Sequence, residues 1–183
     1  KSYFVRHTQR LARRSRWFGL LLGQMRVEST VMSTNELFAS IDVVAGPTVA
    51  TIGTFDGVHL GHQALLKRVQ DEAVARGGKS VALVFKEQPR AFIKPGAQVS
   101  YLSDFESRRD ILKDIGIDHV VELEFGSAIQ KLSSDDFVAA LQERIGLNAL
   151  ILGPGAMIGA DRAGVEQLSA ASTVAGKPDE GLG

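Results

Sequence analysis

Two histidines three residues apart, His59 and His62, stand in the stretch TIGTFDGVHLGHQALL (51–66), with Gly57 and Gly61 beside them. The stretch joins a short apolar run to a segment of helical spacing, so the rings sit where a strand turns into a helix. Free N–H groups and the helix dipole favour an anion at such a junction. Glycine lets the backbone approach a phosphate that a Cβ would hold off. Positions three apart near a helix start share a face, so both imidazoles can reach one phosphate. That placement suits phosphoryl or nucleotidyl transfer, which works by positioning and charge stabilisation and needs no covalent nucleophile. Two plainer readings stand beside it. The pair could be surface histidines in a glycine turn. A metal site would need further ligands, and only His7, in a basic arm, and His119, read as structural at a strand entrance, remain.

The elements that must hold these residues follow from the apolar pattern. Strands are expected at 48–53 (TVATIG), 80–85 (SVALVF), 119–125 (HVVELEF) and 149–153 (ALILG). Helical spacing runs from Leu60 to the stop at Gly77–Gly78, from a capping Asp104 to Gly116, and from Ser133 or Ser134 to Gly146. The alternation predicts an α/β fold, a Rossmann-like doubly wound parallel sheet over residues 43–175. Ligands in such sheets bind beyond the carboxyl ends of the strands. The loops at 53–61, 86–103 and 153–160 share that edge, and a short helix is expected after residue 160. Arg108 and Arg109 read as a solvated helix face, and Asp135 and Asp136 as acids complementing a helix dipole. Arg162 could approach a phosphate from the last loop.

With 44% apolar and 23% charged residues, the 183-residue chain suits one globular domain. Its zero net charge conceals an asymmetry. Seven cations, from Lys1 to Arg26, precede the first acid, Glu28, and the remaining 14 basic residues face all 21 acidic ones. The folded body is therefore acidic, which argues against nucleic acid as a partner. The absence of cysteine excludes disulfides, thiolate zinc sites and cysteine nucleophiles. The apolar stretch WFGLLLGQM (17–25) falls short of the ~20 residues of a bilayer span, so no membrane partner is expected. Residues 1–34 are expected to be a poorly ordered basic extension and 176–183 a loose tail. Residues 1–30 read as an organellar transit segment, as sequence upstream of a natural start at Met32, or as a polyanion-binding arm. The expected compartment is cytoplasmic, or an organelle under the first reading.

GTFDGVHLGH (53–62) resembles the signature of the HxGH nucleotidyltransferases, and its FDGVHLGH wording is similar to FAD synthetases of the bacterial and plastid type. The likeness runs from about residue 43 to 170, through GIDHVVELEF (116–125) and LSSDDFVAAL (132–141). The resemblance implies transfer of AMP from ATP to FMN, giving FAD and pyrophosphate, with Mg2+ on the phosphates and no direct protein ligand to it. It implies that His59 and His62 contact the ATP phosphates, that Gly53, Thr54, Phe55, Asp56 and Gly57 shape the nucleotide pocket, and that Gly61 permits close approach. Pro89, Arg90, Gly153 and Gly159 fall in the family's flavin or phosphate loops. The implied partners are the small molecules ATP and FMN, with no oligomeric state indicated.

Several positions depart from that family's pattern. FKEQPR (85–90) stands where Phe-x-Pro-His-Pro-Arg is usual, and GPGAMIG (153–159) where Gly-x-Asn/Asp-Phe-x-Phe-Gly is usual. Thr54 replaces a common asparagine. The second phosphate motif, Ser-Ser-Thr-x-x-Arg, has no counterpart, since ASTVAG (171–176) carries Gly176 at the arginine place. The riboflavin kinase segment that often accompanies the family's domain is not expected within these 183 residues. These changes bear first on the flavin site. They leave two alternatives to FAD synthesis: a non-catalytic nucleotide-binding paralogue, or a transferase with another phosphorylated acceptor.

Overall fold

Short apolar runs alternate with amphipathic segments, and the runs become the strands of one sheet. A computed structural model describes residues 44 and 46–164 and the backbone of strand 173–174; the basic extension and the tail lie outside the described residues. Five strands, β1 (Thr48–Gly53), β2 (Lys79–Phe85), β3 (His119–Leu123), β4 (Leu147–Leu150) and β5 (Thr173–Val174), form one sheet in the order β3-β2-β1-β4-β5. Every pairing is parallel. The helices are α1 (Leu60–Ala75), α2 (Pro89–Ile93), α3 (Phe105–Asp114), α4 (Ser127–Lys131) and α5 (Ser134–Ile145), with a 3-10 turn at Asp56–Val58.

Successive residues of β2 serve opposite faces, as the two-residue strand period requires. Val81 and Leu83 join Phe137, Leu141 and Ile145 of α5, whereas Ala82 and Val84 join Leu66 of α1 and Phe105 and Leu112 of α3. Covering both faces makes the sheet doubly wound. Each fully buried side chain of this kind contributes roughly 1.5–3 kcal/mol. From β1 the chain steps outward through β2 and β3, then returns to the other side of β1 as β4. The reversal opens a crevice beyond the carboxyl ends of β1 and β4, which is where ligands settle in such sheets.

The caps follow the sequence. The Asp104 carboxylate accepts the Ser107 N–H at 2.7 Å, and the Ser133 hydroxyl accepts the Asp136 N–H at 3.1 Å. Asp135 and Asp136 lie in the first turn of α5. Differences from the expected elements have local causes. β4 begins at Leu147, two residues early, because Gly146 (φ 61°) turns the chain straight from α5 into the sheet. Exposed Asn148 interrupts the apolar pattern there, and its side chain accepts a hydrogen bond from Arg76 at 2.7 Å. β3 stops at Leu123, and Phe125 instead sets its ring edge-on to Phe85 (5.7 Å) and Phe92 (5.8 Å). Pro89 at the first turn of α2 starts a helix inside the expected 86–103 loop. His119 is exposed; its neighbour Asp118 ties β3 to β2 through the Ser80 N–H (2.9 Å) and hydroxyl (2.7 Å). Residues 159–163 form a turn closed by an Ile158–Ala163 bridge, so the expected short helix has not begun by Ala163; its continuation lies outside the described residues. No helix among the described residues is long and apolar enough to cross a membrane.

Candidate functional site

The turn from β1 into α1 holds an unusual backbone. Phe55 (φ 52°), Gly57 (φ 69°) and Val58 (φ 39°) all lie in the left-handed region. For a bulky or β-branched residue this is a true outlier, costing about 1–3 kcal/mol apiece. Burial offsets it. The Phe55 and Val58 side chains are fully buried with Leu66, Ala82, Val84 and Phe105, a gain of roughly 1.5–3 kcal/mol each. The apolar core thus clamps a strained turn that the backbone alone would not keep.

This clamping presents the histidines. His59 caps α1, its Nδ1 accepting the His62 N–H at 3.4 Å, so its proton sits on Nε2. The two rings stack with centroids 3.7 Å apart and planes at 23°, and Phe55 meets the His62 ring edge-on at 5.2 Å. A Cβ on Gly61 would come within 3.2 Å of His59 Cε1, so the glycine between the histidines makes room for the first ring. His62 is half-buried, and its Nδ1 has no partner. Removal from water and the neighbouring His59 lower its pKa below the usual imidazole value, against an opposing pull from Asp56. A neutral His62 follows at pH 7, with the proton favoured on Nε2 because an unpartnered acceptor is tolerated better than an unpartnered donor. The Leu60 and Gly61 N–H groups have no acceptor among the described residues. Two Nε2–H donors beside free helix-start amides can bind an anion and stabilise charge growing on it.

The turn is latched from below. Asp56 accepts the Leu102 and Ser103 N–H groups at 2.9 and 3.0 Å and the Ser103 hydroxyl at 3.2 Å; that hydroxyl in turn accepts the Gly57 N–H at 3.1 Å. Burial works to raise the Asp56 pKa, but these hydrogen bonds and Arg108 hold it below the ordinary carboxylate range. Both carboxylate oxygens are therefore committed to the 102–103 backbone.

Arg108 corrects the expectation of a solvated face. It is 2% exposed. Its guanidinium donates to the carbonyls of Thr54 (2.7 Å), Phe85 (3.1 Å), Lys86 (2.8 Å) and Asp104 (3.2 Å). The signal was available: Phe105, Arg108 and Leu112 share the buried stripe of α3, so a cation at that spacing points inward. Arg109 does lie on the partly exposed side, beside Asp110.

A cavity of about 660 Å³ opens at the carboxyl edge of the sheet. Gly53, Thr54, Pro89 and Gly159 line it, as do Phe85, Phe125, Gln130 and Arg162. His59, His62, Phe55, Asp56, Gly57, Gly61, Arg90 and Gly153 do not; Gly53 and Thr54 form the border between cavity and histidine turn. Arg90 is exposed on α2, and a Cβ on Gly153 would make only ordinary contact with Leu65. Gly159 has a local reason for its identity. A Cβ there would come within 2.3 Å of the Ser134 N and Asp161 Oδ1, which hydrogen-bond each other at 2.9 Å.

The FAD synthetase family model matches residues 42–176. The chain is 38% identical over 117 residues to a bifunctional riboflavin kinase/FMN adenylyltransferase of Pseudomonas fluorescens, covering 63% of this chain and 37% of that protein. It is 30% identical over 117 residues to the protein so described in Escherichia coli K12, with the same coverage. For the Listeria monocytogenes protein so described, identity is 33% over 91 residues, 49% of this chain and 29% of that one. The matched region thus spans well under half of each relative. A solved structure described as a macrolide-efflux protein from Streptococcus pneumoniae superposes with a TM-score of 0.64 at 25% identity, over 69% of this chain and 43% of that one. That likeness is one of fold. The family match covers most of the chain, including the histidine turn and the walls of the cavity, and the chain belongs to the FAD synthetase family.

Proposed function

We propose that this chain transfers the adenylyl group of ATP to FMN, forming FAD and releasing pyrophosphate. The observation that carries the reading is the stacked His59–His62 pair at the start of α1, on a turn held in a strained backbone by core burial. In the reaction a phosphate oxygen of FMN attacks the α-phosphorus of ATP. A new P–O bond forms as the bond between the α-phosphorus and the bridging oxygen breaks, and pyrophosphate leaves with that electron pair. The Nε2–H groups of His59 and His62 donate to phosphate oxygens as charge grows on them, and the α1 amides add fixed dipoles. Gly61, lacking a Cβ, leaves the His59 ring room to take this position.

A magnesium ion would enter with the nucleotide, and the Asp56 carboxylate beside the histidine turn is committed to the Leu102 and Ser103 amides. Carried on the nucleotide, such an ion would supply charge neutralisation toward the pyrophosphate group. The acceptor is assigned to the cavity, whose volume lies within the roughly 300–1,000 Å³ of small-molecule pockets. Phe85 and Phe125 offer apolar walls to a planar ring, while Gln130 and Arg162 offer polar groups to its edge. Gly155 and Ala156 leave another wall without a polar side chain, which favours a different phosphorylated acceptor as the second reading.

Incubation with MgATP and FMN tests the proposal, with His62→Ala run beside the parent protein and FMN binding followed by flavin fluorescence. The expected result is FAD formation that falls at least a hundredfold in the variant while FMN still binds. Nucleotide binding with neither FMN binding nor turnover would exclude FMN as the acceptor, and labelled ATP offered with a panel of phosphorylated acceptors would then separate a transferase of another acceptor from a non-catalytic member of the family.

A further inference from the structure

Arg108 is a buried cation among carbonyls. No carboxylate lies within ion-pair distance of it among the described residues; three strand-end carbonyls and one helix-cap carbonyl take its donors instead. A buried charge is expensive to desolvate, and an apolar side chain would complete the α3 stripe of Phe105 and Leu112 without that cost. What an apolar residue cannot do is join two backbones. The Thr54 carbonyl belongs to the turn that leads to His59, and the Phe85 and Lys86 carbonyls to the exit of β2 that leads to α2. One planar fork of fixed N–H directions spans both.

Aromatic rings hold the fork in place. Its carbon lies 5.6 Å from the centre of the Tyr101 ring and 5.7 Å from that of Phe105, within cation–π reach. The Tyr101 hydroxyl accepts the Gln88 N–H at 2.9 Å, so this ring is itself tied to the loop after β2. Thr54 and Phe85, two of the four residues whose carbonyls it grips, also line the cavity.

We infer that Arg108 is a positioning residue that fixes the gap between the histidine turn and the acceptor loop, and so aligns the two substrates for transfer. The inference rests on the proposed reaction. Misplacing a reacting group by about 1 Å can cost a hundredfold in rate, so the signature is a loss of kcat.

The experiment compares Arg108→Lys and Arg108→Met with the parent protein and with Arg109→Ala as the control. It measures thermal melting, FAD formation with each substrate varied, and the ring resonances of His59 and His62 by NMR without ligand. Arg108→Lys keeps the charge and loses the fork. Expected are a folded Arg108→Lys protein, shifted His59 and His62 resonances, and kcat lowered roughly tenfold to a hundredfold with little change in the KM for ATP. Arg109→Ala should match the parent in all three. Folded Arg108 variants with parental resonances and parental kcat would overturn the inference. If Arg108→Met fails to fold, Arg108→Lys decides; failure of both would make Arg108 a stability residue and also overturn it. Should the parent form no FAD, the proposed reaction fails, while the histidine resonances still judge Arg108: unmoved rings overturn its positioning role.

Discussion

The histidine turn and the cavity meet at Gly53–Thr54, yet they are built on different terms. The turn is ten consecutive residues whose backbone is forced by three positive φ angles and locked by two buried side chains. The cavity is assembled from residues that follow β1, β2, β3 and β4, and from α4 and α5. In the first region local backbone chemistry decides which residues are allowed. In the second, distant segments meet, and any one wall can change while the rest stand. Departures from the family's usual wording accordingly cluster in the cavity loops, at 87–88 and 155–158, and hardly touch the turn.

Substitutions should separate the two. The largest loss is expected for His62→Ala: removing one donor that stabilises developing charge lowers kcat about 10²–10³-fold. FMN binding, read by fluorescence, should remain near parental. Gly159→Ala should act on the fold near the cavity. Its Cβ would intrude between Ser134 and Asp161, so a loss of about 2 kcal/mol in urea unfolding is expected, within the range for strained glycine sites. Ala156→Glu puts a carboxylate into the cavity wall facing a phosphorylated acceptor, and FMN affinity should fall roughly tenfold, equivalent to about 1.4 kcal/mol, with ATP affinity unchanged. Loss of ATP binding in this last variant would mean that the two regions are one site.

Acidification offers a subtler contrast. Packing and the adjacent His59 lower the His62 pKa in the fold, so the unfolded chain takes up this proton first as pH falls. Stability tied to His62 is therefore full above about pH 6.5 and declines below it, until the folded protein is protonated as well. Urea unfolding at pH 7.5 and 5.5 should show a drop in the parent that is smaller in His62→Gln. The smallest effect is expected for Leu102→Ala: its side chain is 84% exposed, and stability should change by no more than about 0.5 kcal/mol.

These contrasts explain how much could be read beforehand. The β1 strand was legible to the residue, because TVATIG is a short run rich in β-branched residues and closed by glycine. Caps at Asp104 and Ser133 were legible because short acceptor side chains precede apolar periodicity. β5 was not, since two residues carry no period. Of the site, His59, His62 and Gly61 were legible as a group because one turn brings them together. The Asp56 latch and the Arg108 fork were not. Their partners lie 46 and 54 residues away in sequence, and only the packing of α3 beneath the sheet edge creates those contacts. Phe125 and Gln130 entered the cavity for a similar reason: β3 ended early, and the chain turned inward.

Titration with a non-hydrolysable α,β-methylene analogue of ATP, in the presence of magnesium, tests most directly whether His59 and His62 hold the nucleotide phosphates. Followed by NMR on the histidine side chains, both rings should shift together along one binding curve, and His119 should stay still. Saturable binding of the analogue that leaves both His59 and His62 unmoved would contradict the account.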